Sequence, residues 1–379
     1  MTDAPSPPPV DTTGVGREVE QGNPRVFPCG GCGADFEFAI DAQSLKCPYC
    51  GFVKDLSVDA DKKVEEQDLR DAIEVQAERR SGGKNVMEGI SEVGCRDCGA
   101  KVRFQGTLTS QECPYCGTPI QLDGVYDAED RIAVDGVLPF KIKRETARSN
   151  LKEWVGSRWF APNEFKQRGV QGRFAGVYMP YWTYDALTLN DYVGERGEHY
   201  YVTVKRGDDK GREQRTRWYH TSGSFRRFFD DMLVVAGKGL PSEVVRSLEP
   251  WPLHECLPFN QQVLAGYMAR TYDVSLRAGF KEAENRMEAE IRCDVRRRIG
   301  GDEQRIHRVA TEYGAMTYKH LLLPVWILAY KYGEKTYQVV VNAATGEVQG
   351  ERPYSWIKIT LFVMMIAAVV ATIVFFVNR

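Results

Sequence analysis

Cys29-Gly30-Gly31-Cys32 is followed, after 14 residues, by Cys47-Pro48-Tyr49-Cys50-Gly51. The arrangement returns as Cys95-Arg96-Asp97-Cys98 and Cys113-Pro114-Tyr115-Cys116-Gly117, each cysteine displaced by 66 positions. Cys32-Gly33-Ala34 likewise recurs as Cys98-Gly99-Ala100. This is an internal duplication of one four-cysteine unit. Two residues between cysteines let a tight turn aim both thiolates at one ion, and the glycine that follows relaxes the φ demand of that turn. A 14-residue excursion suits a short hairpin that brings the second pair back to complete a tetrahedron. Four thiolates with no open position describe a closed, structural site, and their softness selects zinc over harder ions. The reading is therefore one zinc ion on Cys29, Cys32, Cys47 and Cys50 and a second on Cys95, Cys98, Cys113 and Cys116, two ions per chain. Cys-Pro-Tyr-Cys is also the dithiol word of glutaredoxin-type sites, where it opens a helix that lowers a thiol pKa. Here each copy is the second half of a four-cysteine set and precedes a glycine, so the metal reading is preferred. Cys256 and Cys293 fit neither set and are expected as buried thiols.

Working outward from the cysteines, residues 1–24 are polar and Pro-rich and read as a disordered tail with no secretory signal. An untranslocated N-terminus lies in a reducing compartment, where paired cysteines mean metal more often than disulfide. The expected organisation is a multi-domain chain. Zinc ribbons occupy 25–56 and 93–124, a charged helical linker 57–92, and an α+β cytosolic domain 125–355, with a transmembrane tail anchor at 357–377. Within the linker, 59–80 is expected as an exposed spacer helix broken by Ser81-Gly82-Gly83.

In the α+β domain, aromatic and β-branched runs predict strands over Val137–Ile142, Val177–Tyr184, Tyr200–Lys205 and Leu322–Tyr332. Tyr337–Val341 and Glu347–Gln349 flank Asn342 to Gly346 and predict a hairpin. Helices are expected over Glu145–Trp154, Ser242–Leu248 and Phe280–Ile299. In the last, Ala283, Met287, Ile291, Val295 and Ile299 recur every four residues, and Gly300-Gly301 ends the run. Ile359–Val377 carries no charge, no Pro and no Gly. At 1.5 Å per residue it reaches about 28 Å, close to the hydrocarbon thickness of a bilayer. Tyr354 and Trp356 stand just before it, where interfacial aromatics belong. The expectation is a single-span anchor in the bacterial inner (cytoplasmic) membrane, inserted after synthesis, with the bulk of the chain cytosolic and the C-terminus across.

Overall composition adds little. The 379 residues are 43% hydrophobic and 27% charged with a net charge of −2, so no global field draws the chain to nucleic acid or an anionic membrane. Locally, residues 205–227 hold eight Lys or Arg against three acids, interleaved with Trp218, Tyr219, Phe225 and Phe228. We read this stretch as a solvated hairpin with alternating polar faces, the alternative being a surface for phosphate. There is no phosphate-cradling loop, dinucleotide fingerprint or nucleophile elbow, and the five histidines lack metal or haem spacing. No catalytic or cofactor-binding residue is assigned.

Further words are Phe174-Ala175-Gly176-Val177-Tyr178-Met179-Pro180-Tyr181-Trp182-Thr183-Tyr184-Asp185, Leu322-Leu323-Pro324-Val325-Trp326 and Asn342-Ala343-Ala344-Thr345-Gly346-Glu347-Val348, with Leu257-Pro258-Phe259 and Leu264-Ala265-Gly266-Tyr267. Across about residues 90 to 355 these resemble a family of bacterial membrane proteins with N-terminal zinc ribbons of the transcription-factor-IIB type. That family is often labelled primosomal protein N-prime or helicase-like, a label this chain does not merit because it lacks a nucleotide-binding motif. The resemblance implies company with phage-shock-type coiled-coil stress proteins and flotillin-like proteins, and so a non-enzymatic scaffold recruiting cytosolic partners in envelope stress. The alternative expectation is a membrane-tethered nucleic-acid-binding protein. It is less favoured because the ribbons carry few basic residues.

Overall fold

A computed structural model describes residues 29–34, 36–56, 63–82, 91–94, 99–104, 110–112, 119–121, 125–127, 132–162, 174–206, 209–237, 240, 242–269, 272–332 and 335–377. It is a mixed α and β structure with a cysteine cluster near its start and one apolar helix near its end.

The body is organised by three long strands, β11 (Phe174–Arg206), β12 (Asp209–Val235) and β15 (Glu303–Tyr332). β11 lies in the middle, antiparallel to both neighbours. The expected strands Val177–Tyr184 and Tyr200–Lys205 are two parts of this one element. The intervening stretch escaped notice because Asp185, Asn190, Asp191, Gly194 and Gly197 dilute its apolar alternation. Burial explains the change of pattern along the strand. From 177 to 186 every residue is buried, as in a strand covered on both faces. From Ala186 to Tyr192 buried and exposed residues alternate, as in a strand covered on one.

The changeover is marked by a bulge. Register slips between Tyr184 and Ala186 against β12, and between Asp185 and Leu187 against β15. At the same level Asp231 (φ 48°) and Ala315 (φ 46°) adopt the left-handed conformation that a local extra residue requires. Past Gly197, opposite the first residue of β15, β11 and β12 pair only with each other among the described residues. Nine residues at about 3.3 Å each make this free arm roughly 30 Å long.

Shorter strands complete the sheet. β10 (Gly136–Val137) runs parallel to β15 on its other side, and β13 (Leu257–Pro258) pairs with β10. β16 (Lys335–Asn342) and β17 (Val348–Gly350) form the expected hairpin on the C-terminal half of β15. Of the expected strand 137–142 only Val137 lies in a strand, as the second residue of β10. The linker helix is α1 (Leu69–Gly82), but the linker is not wholly exposed. Gln67 and Asp68 (β4) pair with β15, and Leu69 is buried in the core under the long strands.

α2 (Arg144–Gly156) and α3 (Ser242–Arg246) fall where expected. α4 (Leu276–Ile299) starts four residues early because Ser275 caps it, its hydroxyl accepting from Ala278 N. Its every-fourth-residue stripe packs on Tyr184, Ala186, Tyr192 and Phe229. Gly279 lets the first turn approach the sheet: a Cβ there would lie 2.8 Å from Trp182 Cδ1 and closer still to the Tyr184 hydroxyl. Gly279→Ala gains about 1 kcal/mol of helix propensity. The overpacking outweighs it, and the net expectation is a loss of ~1–2 kcal/mol. Urea unfolding followed by tryptophan fluorescence checks this, and an unchanged or raised midpoint would contradict it. Cys293 sits opposite the stripe and is exposed, so the expectation of a buried thiol is wrong for it, whereas Cys256 is half-buried.

α5 (Trp356–Val377) is the apolar helix, and none of its residues is buried.

Candidate metal centre

The first cysteine unit is a three-stranded hairpin sheet, β1 (Glu37–Ala39), β2 (Ser44–Lys46) and β3 (Val53–Lys54). Its two knuckles have identical backbone bonding. Cys29 N donates to Ala34 O (2.6 Å), and Gly33 N donates to Cys29 O (2.8 Å). Cys47 N donates to Phe52 O (2.8 Å), and Gly51 N donates to Cys47 O (3.0 Å). Gly33 and Gly51 both sit at φ 72°, a conformation that L side chains avoid.

This geometry gathers Cys29, Cys32, Cys47 and Cys50 into a cluster that could hold a metal ion, all four sulfurs lying within 4.8 Å of one another. Cys29 Sγ is 3.4 Å from Cys50 Sγ, and Cys32 Sγ is 3.5 Å from Cys47 Sγ. A tetrahedron with metal–sulfur bonds of about 2.3 Å has edges of about 3.8 Å, so the donor set fits such an ion. Gly31 N donates to Cys29 Sγ at 3.4 Å. The backbone N–H groups of Cys50 and Tyr49 draw the Cys47 thiol down to about 7. For Cys50 the Phe52 N–H pulls the same way, but the surrounding thiols push it up to about 12. Without a cation the crowded sulfurs thus resist a second negative charge, which a divalent ion would relieve.

Cys29 and Cys47 are buried with Phe36, Leu45 and Ala265 of the body, whereas Cys32 and Cys50 face outward. Beside them Tyr49, Phe52 and Val53 are 83%, 50% and 49% exposed. The hairpin is docked on the body. Phe38 is buried among body residues, its N–H donates to Ala265 O (3.0 Å), Gln43 Nε2 donates to Phe140 O (3.0 Å), and Lys143 pairs with Asp41 at 2.7 Å. A cleft of about 520 Å³ remains between the two, lined by Glu37, Arg144, Glu145, Phe174, Tyr267 and Trp326 among others. This docking is not legible in sequence, because Gly266 and Ala265 signal only a turn until Glu37 and Phe38 are set against them.

Cys95, Cys98, Cys113 and Cys116 lie outside the described residues. β5 (Ser91–Gly94) pairs with β6 (Lys101–Phe104) and β9 (Val125–Asp127), and β6 meets β14 (Met268–Ala269) of the body sheet, while the hairpin of the second knuckle repeats that of the first unit. β7 (Ser110–Glu112) pairs with β8 (Pro119–Gln121) through Gln111↔Ile120 and Glu112↔Pro119, which is the β2–β3 register Leu45↔Lys54 and Lys46↔Val53 moved by 66. Gly99, the counterpart of Gly33, sits at φ 68°.

A second polar group, not singled out by sequence, sits at the bulge. Lys319 Nζ lies 2.8 Å from Asp231, 3.3 Å from Glu66 and 4.0 Å from buried Asp185. Thr317 Oγ1 is 2.9 Å from Glu66 and 3.1 Å from Asp185, though its one proton serves only one of them. Burial pushes Asp185 up to about 6, with the Asp231 N–H and Lys319 opposing. Burial also works to raise Glu66, but Thr317 and Lys319 outweigh it and hold that carboxyl below its usual range. Burial likewise pushes Asp135, which accepts from His320 N at 2.7 Å, up to about 6. Asp185 and Lys319 point inward at the bulge and Glu66 closes the group from the surface, so this is a structural ion network at the joint.

The basic stretch 205–227 forms most of β12 and faces β11. Two of its arginines make contacts within the body and the hairpin. Arg217 covers Tyr200 (5.0 Å), and Arg227 reaches Glu290 and Asp294 on α4.

No protein-family model matches the chain, and no solved structure matches it. The chain is 26% identical over 237 residues to a Bacillus subtilis (strain 168) protein titled uncharacterized protein YdjG, covering 61% of this chain and 67% of that one.

Proposed function

We propose that this chain is a non-enzymatic scaffold that holds zinc-ribbon docking surfaces at a membrane. Each four-cysteine unit takes one zinc ion, the second on Cys95, Cys98, Cys113 and Cys116. The repeated hairpin register and the left-handed Gly99 support that second site. α5 is the span, in the bacterial inner membrane with the body in the cytosol, where thiolates stay reduced.

The observation that carries the scaffold reading is the outer face of the first ribbon. Tyr49, Phe52 and Val53 form an exposed apolar cluster beside a closed metal site, and such clusters mark protein contacts. Phage-shock-type coiled-coil and flotillin-like proteins are the partners the sequence resemblance favours. The test is mild-detergent purification of the full chain with metal analysis on the same sample. Two zinc ions per chain and a co-purifying protein are expected. Tyr49→Ser/Phe52→Ser should lose the protein and keep the zinc. Retention of the partner by that variant, or no partner for the parent chain, would count against the scaffold.

The free arm favours a second reading, nucleic-acid binding, because Arg212 and Arg215 are exposed at its outer end beside Tyr201. A shift of DNA or RNA that weakens with salt, and is lost in Arg212→Gln/Arg215→Gln, would support it.

A further inference from the structure

The apolar helix does not leave the body as a bare stalk. After α2 ends at Gly156, residues 157–162 turn back against the first turns of α5. Ser355 N donates to Phe160 O (2.8 Å), Lys358 Nζ donates to Ala161 O (2.8 Å), and the Phe160 ring meets Phe362 edge-on at 5.4 Å. Between this turn and the helix lies a groove of about 380 Å³ lined by Trp159, Lys358, Leu361, Phe362 and Met365. Its wall is apolar except for Lys358. Trp159 is 72% exposed, and Trp356 on the same stretch of helix is 79% exposed.

We infer that Trp159 and this groove form a phospholipid seat. The indole lies in the headgroup–acyl boundary of the bilayer that α5 crosses, and an acyl chain fills the groove. The inference rests on α5 being a span. Three observations carry it beyond that reading.

Depth is the first. Met365 follows Lys358 by seven residues, so the groove runs about 10 Å along the helix axis, from the headgroup boundary into the upper acyl region. Backbone bonding is the second. Non-helical chain at membrane depth survives only where its polar groups are paired. Here Ser157, Arg158 and Ala161 donate to Glu153 O, Val155 O and Arg158 O, while the Phe160 and Ala161 carbonyls accept from Ser355 and Lys358. The third is chemistry. A large indole exposed next to a lysine, continuous with an apolar helix, matches an interface that is apolar on one side and anionic on the other. That continuity selects lipid rather than a second copy or a soluble partner as the occupant.

The test uses the full chain in nanodiscs of phosphatidylcholine, with or without bromines on the upper acyl carbons, which quench nearby indoles. Wild type, Trp159→Phe and Trp356→Phe are compared. If two interfacial tryptophans share the brominated-lipid quenching, Trp159→Phe should lower it by roughly half. Quenching that falls for Trp356→Phe but not for Trp159→Phe would overturn the lipid seat and leave the span standing. No quenching in any of the three, with the chain extracted by alkaline carbonate, would overturn the span reading itself. A dimer cross-linked through position 159, with Trp159 unquenched, would give the groove to a second copy and also sink the proposal.

Discussion

Cys47→Ser is expected to empty the first metal centre and to undock its hairpin while the body stays folded. The sheet of β1, β2 and β3 has few residues to bury, chiefly Phe36, Leu45, Cys29 and Cys47 against Ala265. On the proposed reading, binding of a structural zinc ion, on the order of 10 kcal/mol, is therefore most of what folds it. A serine hydroxyl is a poor ligand, and at this fully buried position it also introduces an oxygen where the thiol met apolar neighbours. Metal analysis should show the loss of an ion. Hydrogen exchange should show protection lost at the Phe38 and Gly51 amides, which bond to Ala265 O and Cys47 O, but kept in β11 and β15. A variant that holds its metal and its Phe38 protection would contradict this account of the centre.

Lys319→Met should be the most damaging single change in the body. It removes the one ammonium that, among the described residues, meets Glu66, Asp185 and Asp231, and leaves those carboxylates without it. Asp185 is buried but Glu66 and Asp231 are partly exposed, so the cost falls below the roughly 3–5 kcal/mol of breaking a fully buried pair. The loss should depend on pH, and the sign follows from Asp185. Its folded pKa, about 6, lies above the unfolded 3.8, so the native state binds the proton more tightly. The stability contributed by that proton is fully present below about pH 4 and is lost as pH rises through 6. Removing Lys319 takes away the charge that opposed this rise and moves the window upward. The deficit relative to wild type should be largest near pH 8 and shrink toward pH 5. Thermal unfolding of the pair across that range checks it, and a constant difference would show that the ammonium is not coupled to the carboxylates. Comparison at each pH removes the effect of acid on the metal centre, which the two proteins share.

The parts of this structure that were legible in sequence are those where chemistry or periodicity repeats. Four cysteines spaced 2, 14 and 2 residues apart fix their own geometry, and the cluster of Cys29, Cys32, Cys47 and Cys50 follows. The every-fourth-residue stripe of α4 and the uninterrupted Ile359–Val377 are similarly direct. What stayed hidden depends on partners distant in sequence. β11 was readable only where it is apolar on both faces or strongly β-branched, because a one-sided strand with Gly194 and Gly197 resembles a loop. Phe38 carries no mark that its slot is 227 residues away at Ala265. Trp159 and Lys319 become informative only when the helix and the bulge are placed beside them.

The position of β15 has a kinetic consequence. It lies between β10 and β11, whose paired residues precede their partners in it by more than a hundred positions, and it also receives β4. During synthesis at about 5–20 residues per second, β11 and β12 can zip into their hairpin early. The apolar edge of β11 then waits several seconds, at the least, for the strand that covers it. Pairings this remote in sequence are slow to form and exposed to misassociation while they wait. Nascent chains caught before residue 332 should be the species most dependent on a holding chaperone, and most prone to pair with one another.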